Sequence, residues 1–321
     1  MKTALITGID GQVGSYLADL LLEKEYRVVG WMPATVPVST TNIEHILDRV
    51  TLVEGDLADQ ASLDVIILTY RPDEVYNLAA PSFPAGSWNH AVLTGDIAGL
   101  GVARLLDALL SHHPAARFYP ASTSEMFGDP IEVPQSEETP FRPRNPYGIA
   151  KLFAHWITVR SREHHGMFAV TGIMFNTESP RRHPRFVTRK ITRAAASIKL
   201  GLQDSLSLGE LEARRDWGYA GDYVRAMWKM LQEDQPQDYV IGSGVTHSVR
   251  DLCDLAFSTL DLDYLDYVLQ DERYMRPSET AQLVANPRKA HRQLGWQPEV
   301  PFDELVRMMV HSDLEGLQSD A

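Results

Sequence analysis

Short apolar runs rich in branched and aromatic residues recur through the first half of the chain. They lie at Thr3–Thr7, Arg27–Trp31, Thr51–Val53, Glu74–Leu78 and Arg117–Ala121, and each has strand length. Between them the apolar positions take a helical spacing. Tyr16, Leu17, Leu20 and Leu21 form one face of one segment, and Leu100, Val102, Leu105, Leu106 and Leu109 form one face of another. Strands alternating with helices predict right-handed βαβ units and a parallel sheet covered on both faces, a doubly wound Rossmann-like α/β fold. Five prolines between Pro130 and Pro146 predict a loop there. After Ile173 the pattern changes to basic loops and helices, and Ser248-Val249-Arg250-Asp251 has the form of a capping box opening a late helix. The expected division is a sheet domain over residues 1–175, rejoined by the chain around 212–245, and a smaller lobe over 176–321.

Charge and cysteine content narrow the partners. The 321 residues hold 30 Lys and Arg against 43 Asp and Glu, a formal net charge of −13. Such an acidic chain argues against nucleic acid or an anionic membrane as the main partner. Cys253 is the single cysteine, and no Cys/His cluster has zinc-ligand spacing, so neither an internal disulfide nor a metal is expected. No apolar stretch approaches the roughly 20 residues of a membrane span. Met1–Thr7 runs straight into a glycine loop, which leaves no room for a signal peptide. A cytoplasmic protein is expected.

The glycine loop, Thr7-Gly8-Ile9-Asp10-Gly11-Gln12-Val13-Gly14, lies between the first strand and the first helix. Glycines there let backbone N–H groups and the helix N-terminus approach a pyrophosphate. An ordinary tight turn is the competing reading, but the position favours dinucleotide binding by Gly8, Gly11, Gln12, Val13 and Gly14. Asp56 and Leu57 after the third strand, and Leu78, Ala79 and Ala80 after the fourth, are placed to flank adenine and the nicotinamide half, though plain strand-end packing would explain either segment equally well. An acid after the second strand would favour NAD and an arginine NADP. Gly30-Trp31-Met32-Pro33-Ala34 supplies neither, so the choice stays open.

Two further elements carry chemistry. Tyr147 and Lys151 are four residues apart on one face at the start of a long helix. A lysine ammonium beside a phenol favours the phenolate. Thr123 and Glu125 follow the fifth strand, 24 and 22 residues before Tyr147, and place a hydroxyl and a carboxylate at the carboxyl edge of the sheet. From Arg181 to Arg193 there are five arginines, one lysine and no acid, a local sign reversal that suits a diphosphate. A solvated helix face or a subunit contact would also explain it. The His112-His113 and His164-His165 pairs sit near helix ends, where surface caps are expected.

With its GxxGxxG loop, the chain resembles the extended short-chain dehydrogenase/reductases, and within them the GDP-mannose 4,6-dehydratases, from Ala4 to about Leu314. The resemblance rests on Arg117 through Gly128, Asn145 through Lys151, Phe175 through Arg182, Phe186 through Ile191, Arg215 through Gly218 and Arg273 through Pro277. It implies a catalytic set of Thr123, Glu125, Tyr147 and Lys151. It implies nucleotide-sugar contacts from Ser82, Asn176, Lys190, Arg215 and Arg276, with Arg182 at the cofactor and Arg214 structural. The implied reaction is internal redox dehydration of a nucleoside diphosphate sugar, GDP-D-mannose foremost, to the 4-keto-6-deoxy sugar. A 4-reductase or epimerase of the same fold is the first alternative and a non-catalytic dinucleotide sensor the second. Both are disfavoured by the complete set with its carboxylate. The family has arginines where this chain has Pro33-Ala34, Gln and His at Pro81 and Phe83, Tyr at Leu93, and His at Thr177. The missing arginines imply a weaker NADP preference than the family norm, with NAD the competitor. They also favour a homodimer, paired through the helices near Ile97 and Gly148, over a tetramer.

Overall fold

The structure, a computed structural model, describes residues 1–33, 39–274 and 282–319. Its centre is a seven-stranded sheet of β1 (Thr3–Thr7), β2 (Arg27–Pro33), β3 (Thr51–Gly55), β4 (Glu74–Asn77), β5 (Arg117–Thr123), β6 (Gly172–Met174) and β7 (Tyr239–Ile241). The order across the sheet is β7-β6-β5-β4-β1-β2-β3, and every pairing is parallel. The order reverses between β1 and β4, so a crevice opens there beyond the carboxyl ends of the strands.

Adjacent strand residues point to opposite faces, and both faces are buried. Ile6, Tyr76 and Tyr119 face a layer containing Leu17 and Leu21 of helix α1 (Gln12–Glu23), while Leu5, Val75 and Phe118 face Leu63 and Ile67 of α2 (Gln60–Tyr70) and Leu105 and Leu109 of α3 (Gly101–His112). Helix α4 (Pro146–His165) adds Ala154 to the second layer, and α6 (Ala220–Met230) adds Tyr223, Met227 and Met230 to the first. The smaller lobe has its own core. There α5 (Val187–Lys199), α7 (Val249–Ser258) and α8 (Phe302–Ser319) bring together Ile191, Ala195, Leu252, Phe257, Val306 and Val310. The expected Rossmann-like sheet with a smaller lobe is the architecture found.

The five expected strands are present, with β2, β3 and β5 each two residues longer and β4 one residue shorter at its end. Strands β6 and β7 were not anticipated. Each has three residues, too few to carry a period of their own. The Pro-rich loop ends at Asn145, because Pro146 serves as the first residue of α4, where its missing N–H costs nothing. Ser248 and Asp251 form the capping box of α7 in both directions. The histidine pairs lie at the ends of α3 and α4, His112 beside Asp64 at 3.4 Å and His164 against His165. Among the described residues, no helix is long and apolar enough to cross a membrane.

Candidate active site

A cleft of about 1450 Å³ runs over the carboxyl edge of the sheet and under the smaller lobe. Gly8, Gly11, Gln12, Val13, Gly14, Asp56, Leu57, Leu78, Ala79 and Ala80 line it from the sheet side, with Thr123, Glu125, Tyr147 and Lys151. Ser82, Asn176, Arg182, Lys190 and Arg215 line its other walls. Arg276 lies outside the described residues. Every other expected site residue is therefore brought to one cavity.

The glycine loop shows why side chains are excluded from it. Gly8 has φ +68°, and a Cβ there would sit 3.1 Å from the backbone of Ala79. At Gly14 a Cβ would lie 2.1 Å from the carbonyl oxygen of Gly8. The loop is thus folded tightly onto the N-terminus of α1, the arrangement that presents N–H groups to a phosphate. Thr7 fixes the neighbouring wall: its Oγ1 donates to Asn77 Oδ1 at 2.7 Å and accepts from the N–H groups of Leu78 and Ala79, each at 3.0 Å. These features fit a dinucleotide. Gln12 reaches across the cleft, where its Nε2 donates to the Thr177 carbonyl at 2.8 Å.

Lys151 is 3% exposed, and its Nζ donates to the Ala121 carbonyl at 2.8 Å. Burial pushes its pKa down to about 8. Tyr147, one turn earlier, is 8% exposed. Burial, followed by the nearby Glu125, raises the phenol well above its ordinary range, while a hydrogen bond with Thr123 and the Arg182 charge act the other way. The sequence suggested that Lys151 lowers the tyrosine. In the folded chain Lys151 Nζ sits 5.8 Å from the Tyr147 ring centre and directs one of its three protons at the Ala121 carbonyl.

Thr123 ends β5, and its Oγ1 accepts from the Glu125 N–H at 3.2 Å, capping a single tight turn over Ser124–Met126. Glu125 projects from that turn toward the start of α4. Asn145 Nδ2 donates to Glu125 Oε2 at 2.8 Å, and Asn145 Oδ1 accepts from the Gly148 N–H at 2.8 Å as the helix N-cap.

The cations divide by role. Arg182 is paired with the buried Glu178 at 3.2 Å and lies 3.5 Å from the Phe186 ring centre. Lys190 donates to the Ser207 carbonyl at 2.7 Å and stands 4.3 Å from the Tyr274 ring centre. Arg215 lines the cleft, whereas the adjacent Arg214 turns to Thr246, donating to its carbonyl at 2.6 Å. Arg181, at the head of the basic segment, is structural: it pairs with Asp19 at 2.7 Å and covers the Tyr16 ring. The sequence reading gave Asn145 and Arg185 no role. Arg185 stands over Phe83, 5.2 Å from its ring centre, at the cleft wall. Its place in the basic segment was the one sequence signal it gave.

A sequence model of the GDP-mannose 4,6 dehydratase family matches residues 5–309. The chain belongs to the GDP-mannose 4,6-dehydratase family. It is 48% identical over 326 residues to GDP-mannose 4,6 dehydratase 1 of Arabidopsis thaliana, covering 98% of this chain and 90% of that protein. Nucleotide-sugar 4,6-dehydration, a hydro-lyase reaction, is the chemistry of this dehydratase. Among solved structures, the fold matches dTDP-glucose 4,6-dehydratase from Bacillus anthracis in complex with NAD, with TM-score 0.87 at 20% identity, covering 99% and 98% of the two chains. It also matches RMD from Pseudomonas aeruginosa complexed with NADPH, with TM-score 0.84 at 24% identity, covering 98% and 100%.

Proposed function

We propose that this 4,6-dehydratase converts GDP-D-mannose to GDP-4-keto-6-deoxy-D-mannose, with a nicotinamide dinucleotide retained through the cycle. The observation that carries the reading is the convergence of Thr123, Glu125, Tyr147 and Lys151 on one cleft whose far wall presents Arg182, Lys190 and Arg215. Gly8, Gly11, Gln12, Val13, Gly14, Asp56, Leu57, Leu78, Ala79, Ala80 and Lys151 would hold the dinucleotide, which when bound would supply a hydride acceptor for C4 and a hydride donor for C6. Tyr147 takes the proton of the 4-hydroxyl, and Thr123 hydrogen-bonds O4. The resulting 4-ketone acidifies the C5 proton. Glu125 removes that proton and delivers one to the departing 6-hydroxyl, so water leaves and the carboxylate is regenerated; reduction at C6 then calls for a proton at C5, which the proton held by Tyr147 balances, restoring the phenolate. Asn176, Ser82, Lys190, Arg215 and Arg276 hold the nucleotide sugar. A 4-reductase or epimerase needs no C5 base paired with loss of water, which is why Glu125 favours dehydration.

The adenosine end of the cleft is walled by Trp31, Met32, Pro33 and Asp56, and its lining contains no Arg or Lys among the described residues. That supports NAD as a serious competitor to NADP. The outer face formed by the helical stretch before α3 and by α4 exposes Val92, Leu93, Leu100, Ile149, Phe153 and Trp156. Apolar side chains gathered on one face support a homodimer through these helices. Buried Cys253 suits a reducing compartment, in keeping with a cytoplasmic enzyme.

The test is mass spectrometry of purified protein incubated with a panel of nucleotide sugars, GDP-mannose included. Loss of one water from GDP-mannose is expected, and it should disappear in Glu125→Gln while substrate and dinucleotide still bind. Turnover of Glu125→Gln at the wild-type rate would remove Glu125 from the mechanism, and dehydration of a different nucleotide sugar alone would replace the substrate.

A further inference from the structure

We propose that Asn145 is a positioning residue for the proton-transfer step, fixing the Glu125 carboxylate and the first turn of the Tyr147 helix with one side chain. The proposal rests on the reading of Glu125 as the C5 base.

A helix N-cap needs only an acceptor, and Ser, Thr, Asp or Asn provides one about equally well. Asn145 does more. Its Oδ1 accepts from the Gly148 N–H at 2.8 Å, and its Nδ2 donates to Glu125 Oε2 at 2.8 Å. The amide orientation is forced from both sides, because a flip would set NH₂ against an N–H and oxygen against a carboxylate. Among the usual cap residues, only asparagine offers an acceptor and an N–H donor on separate atoms. Among the described residues, Asn145 is the one side chain that hydrogen-bonds the Glu125 carboxylate.

The Glu125 backbone is held just as closely against the same helix. Its N–H donates to Thr123 Oγ1 at 3.2 Å. A Cβ on Gly148 would lie 2.6 Å from its carbonyl oxygen, so that glycine lets the turn close onto α4. With backbone and Oε2 both pinned, Oε1 is left as the oxygen that can meet substrate protons. The geometry therefore sets the Glu125 base and the Tyr147 acid/base in register, though they come from different segments of chain.

Asn145→Asp separates the two jobs, since it keeps the cap oxygen and removes the N–H donor. Because the new carboxylate would face that of Glu125, a modestly lowered Tm is expected for this variant, with a KM for the nucleotide sugar within about threefold and a kcat lowered about 10- to 100-fold, the rate equivalent of a lost hydrogen bond to a charged group. On mixing with substrate, the absorbance of reduced dinucleotide should still rise, because the Tyr147 step is intact. Asn145→Ser, which also keeps a cap oxygen without an N–H, repeats the test if the aspartate variant folds poorly. Wild-type kcat in both variants overturns the proposal. So does a loss of activity accompanied by a lowered Tm and no rise in reduced dinucleotide, which would make Asn145 a helix cap alone. Glu125→Gln, measured in parallel, separates the two levels. If it is inactive while Asn145→Asp is wild type, only the positioning role fails. If Glu125→Gln is itself wild type, the reading of the base fails with it.

Discussion

Replacing Lys151 by methionine should stabilise the protein while abolishing turnover. The ammonium is 3% exposed, and burial holds its pKa at about 8 against 10.5 for an ordinary lysine. At about 1.4 kcal/mol per tenfold, keeping that charge buried at pH 7 costs about 3 kcal/mol. Methionine fills the same stem volume without the charge. Loss of the hydrogen bond to the Ala121 carbonyl offsets about 1 kcal/mol, leaving a net gain of about 2 kcal/mol at pH 7. The pH dependence has a definite sign. A lysine whose folded pKa is lowered destabilises the protein fully below pH 8, and that penalty fades as pH rises toward 10.5, where the unfolded chain also releases its proton. The stability gap between Lys151→Met and wild type should therefore be widest at pH 7 and narrow steadily between pH 8 and 10.5. Urea denaturation of dinucleotide-free protein at pH 7, 8.5 and 10 reads it directly, since a bound ligand would add its own linkage. A variant less stable than wild type at pH 7, or a gap that does not change with pH, would refute the reasoning.

Arg215→Ala should weaken nucleotide-sugar binding by about 1.5–3 kcal/mol and leave dinucleotide affinity nearly unchanged, which calorimetry with each ligand in turn would check. Phe153→Asp, placing a charge in the exposed apolar face of α4, should convert a dimer to a monomer in light scattering at micromolar concentration; an unchanged mass would move the interface elsewhere. Dinucleotide extracted from purified protein should include NAD in substantial proportion, and tightly held NADP alone would show that a cation outside the described lining reads the 2′-phosphate. Tyr147→Phe should leave both ligands bound but prevent any rise in reduced dinucleotide on mixing with substrate.

The sheet was legible because parallel strands buried on both faces are continuous apolar runs, and because clear helical faces, Tyr16 to Leu21 and Leu100 to Leu109, follow the first strand and precede the fifth. Leu5 and Ile6, or Phe118 and Tyr119, point to opposite layers that are both dry, so no polar residue interrupts the run. The last two strands escaped notice for a physical reason. Gly172–Met174 and Tyr239–Ile241 take their place from pairing with β5 and with each other, not from any propensity that three residues can express.

The site was legible where chemistry demands a fixed residue type at a fixed spacing, as in the glycine loop and in Tyr147 and Lys151. What the sequence could not carry is the sign of an interaction that depends on where a proton points. A lysine four residues after a tyrosine suggests an ammonium directed at a phenol, but Lys151 is drawn to the Ala121 carbonyl at the end of β5. Burial then raises the phenol, and the groups that counter it in part are Thr123, at the end of β5, and Arg182 from the basic segment. Asn145 is the same lesson in reverse. In the sequence it is an ordinary cap before Pro146, and only the folding of the Ser124–Met126 turn against α4 brings the Glu125 carboxylate within reach of its second functional atom. In the proposed reaction Glu125 alone moves a proton from C5 to the leaving hydroxyl, so its carboxylate is best held by something that does not itself titrate. A neutral amide at a helix cap meets that requirement, whereas a lysine or arginine would bind the anion too firmly for it to accept a proton.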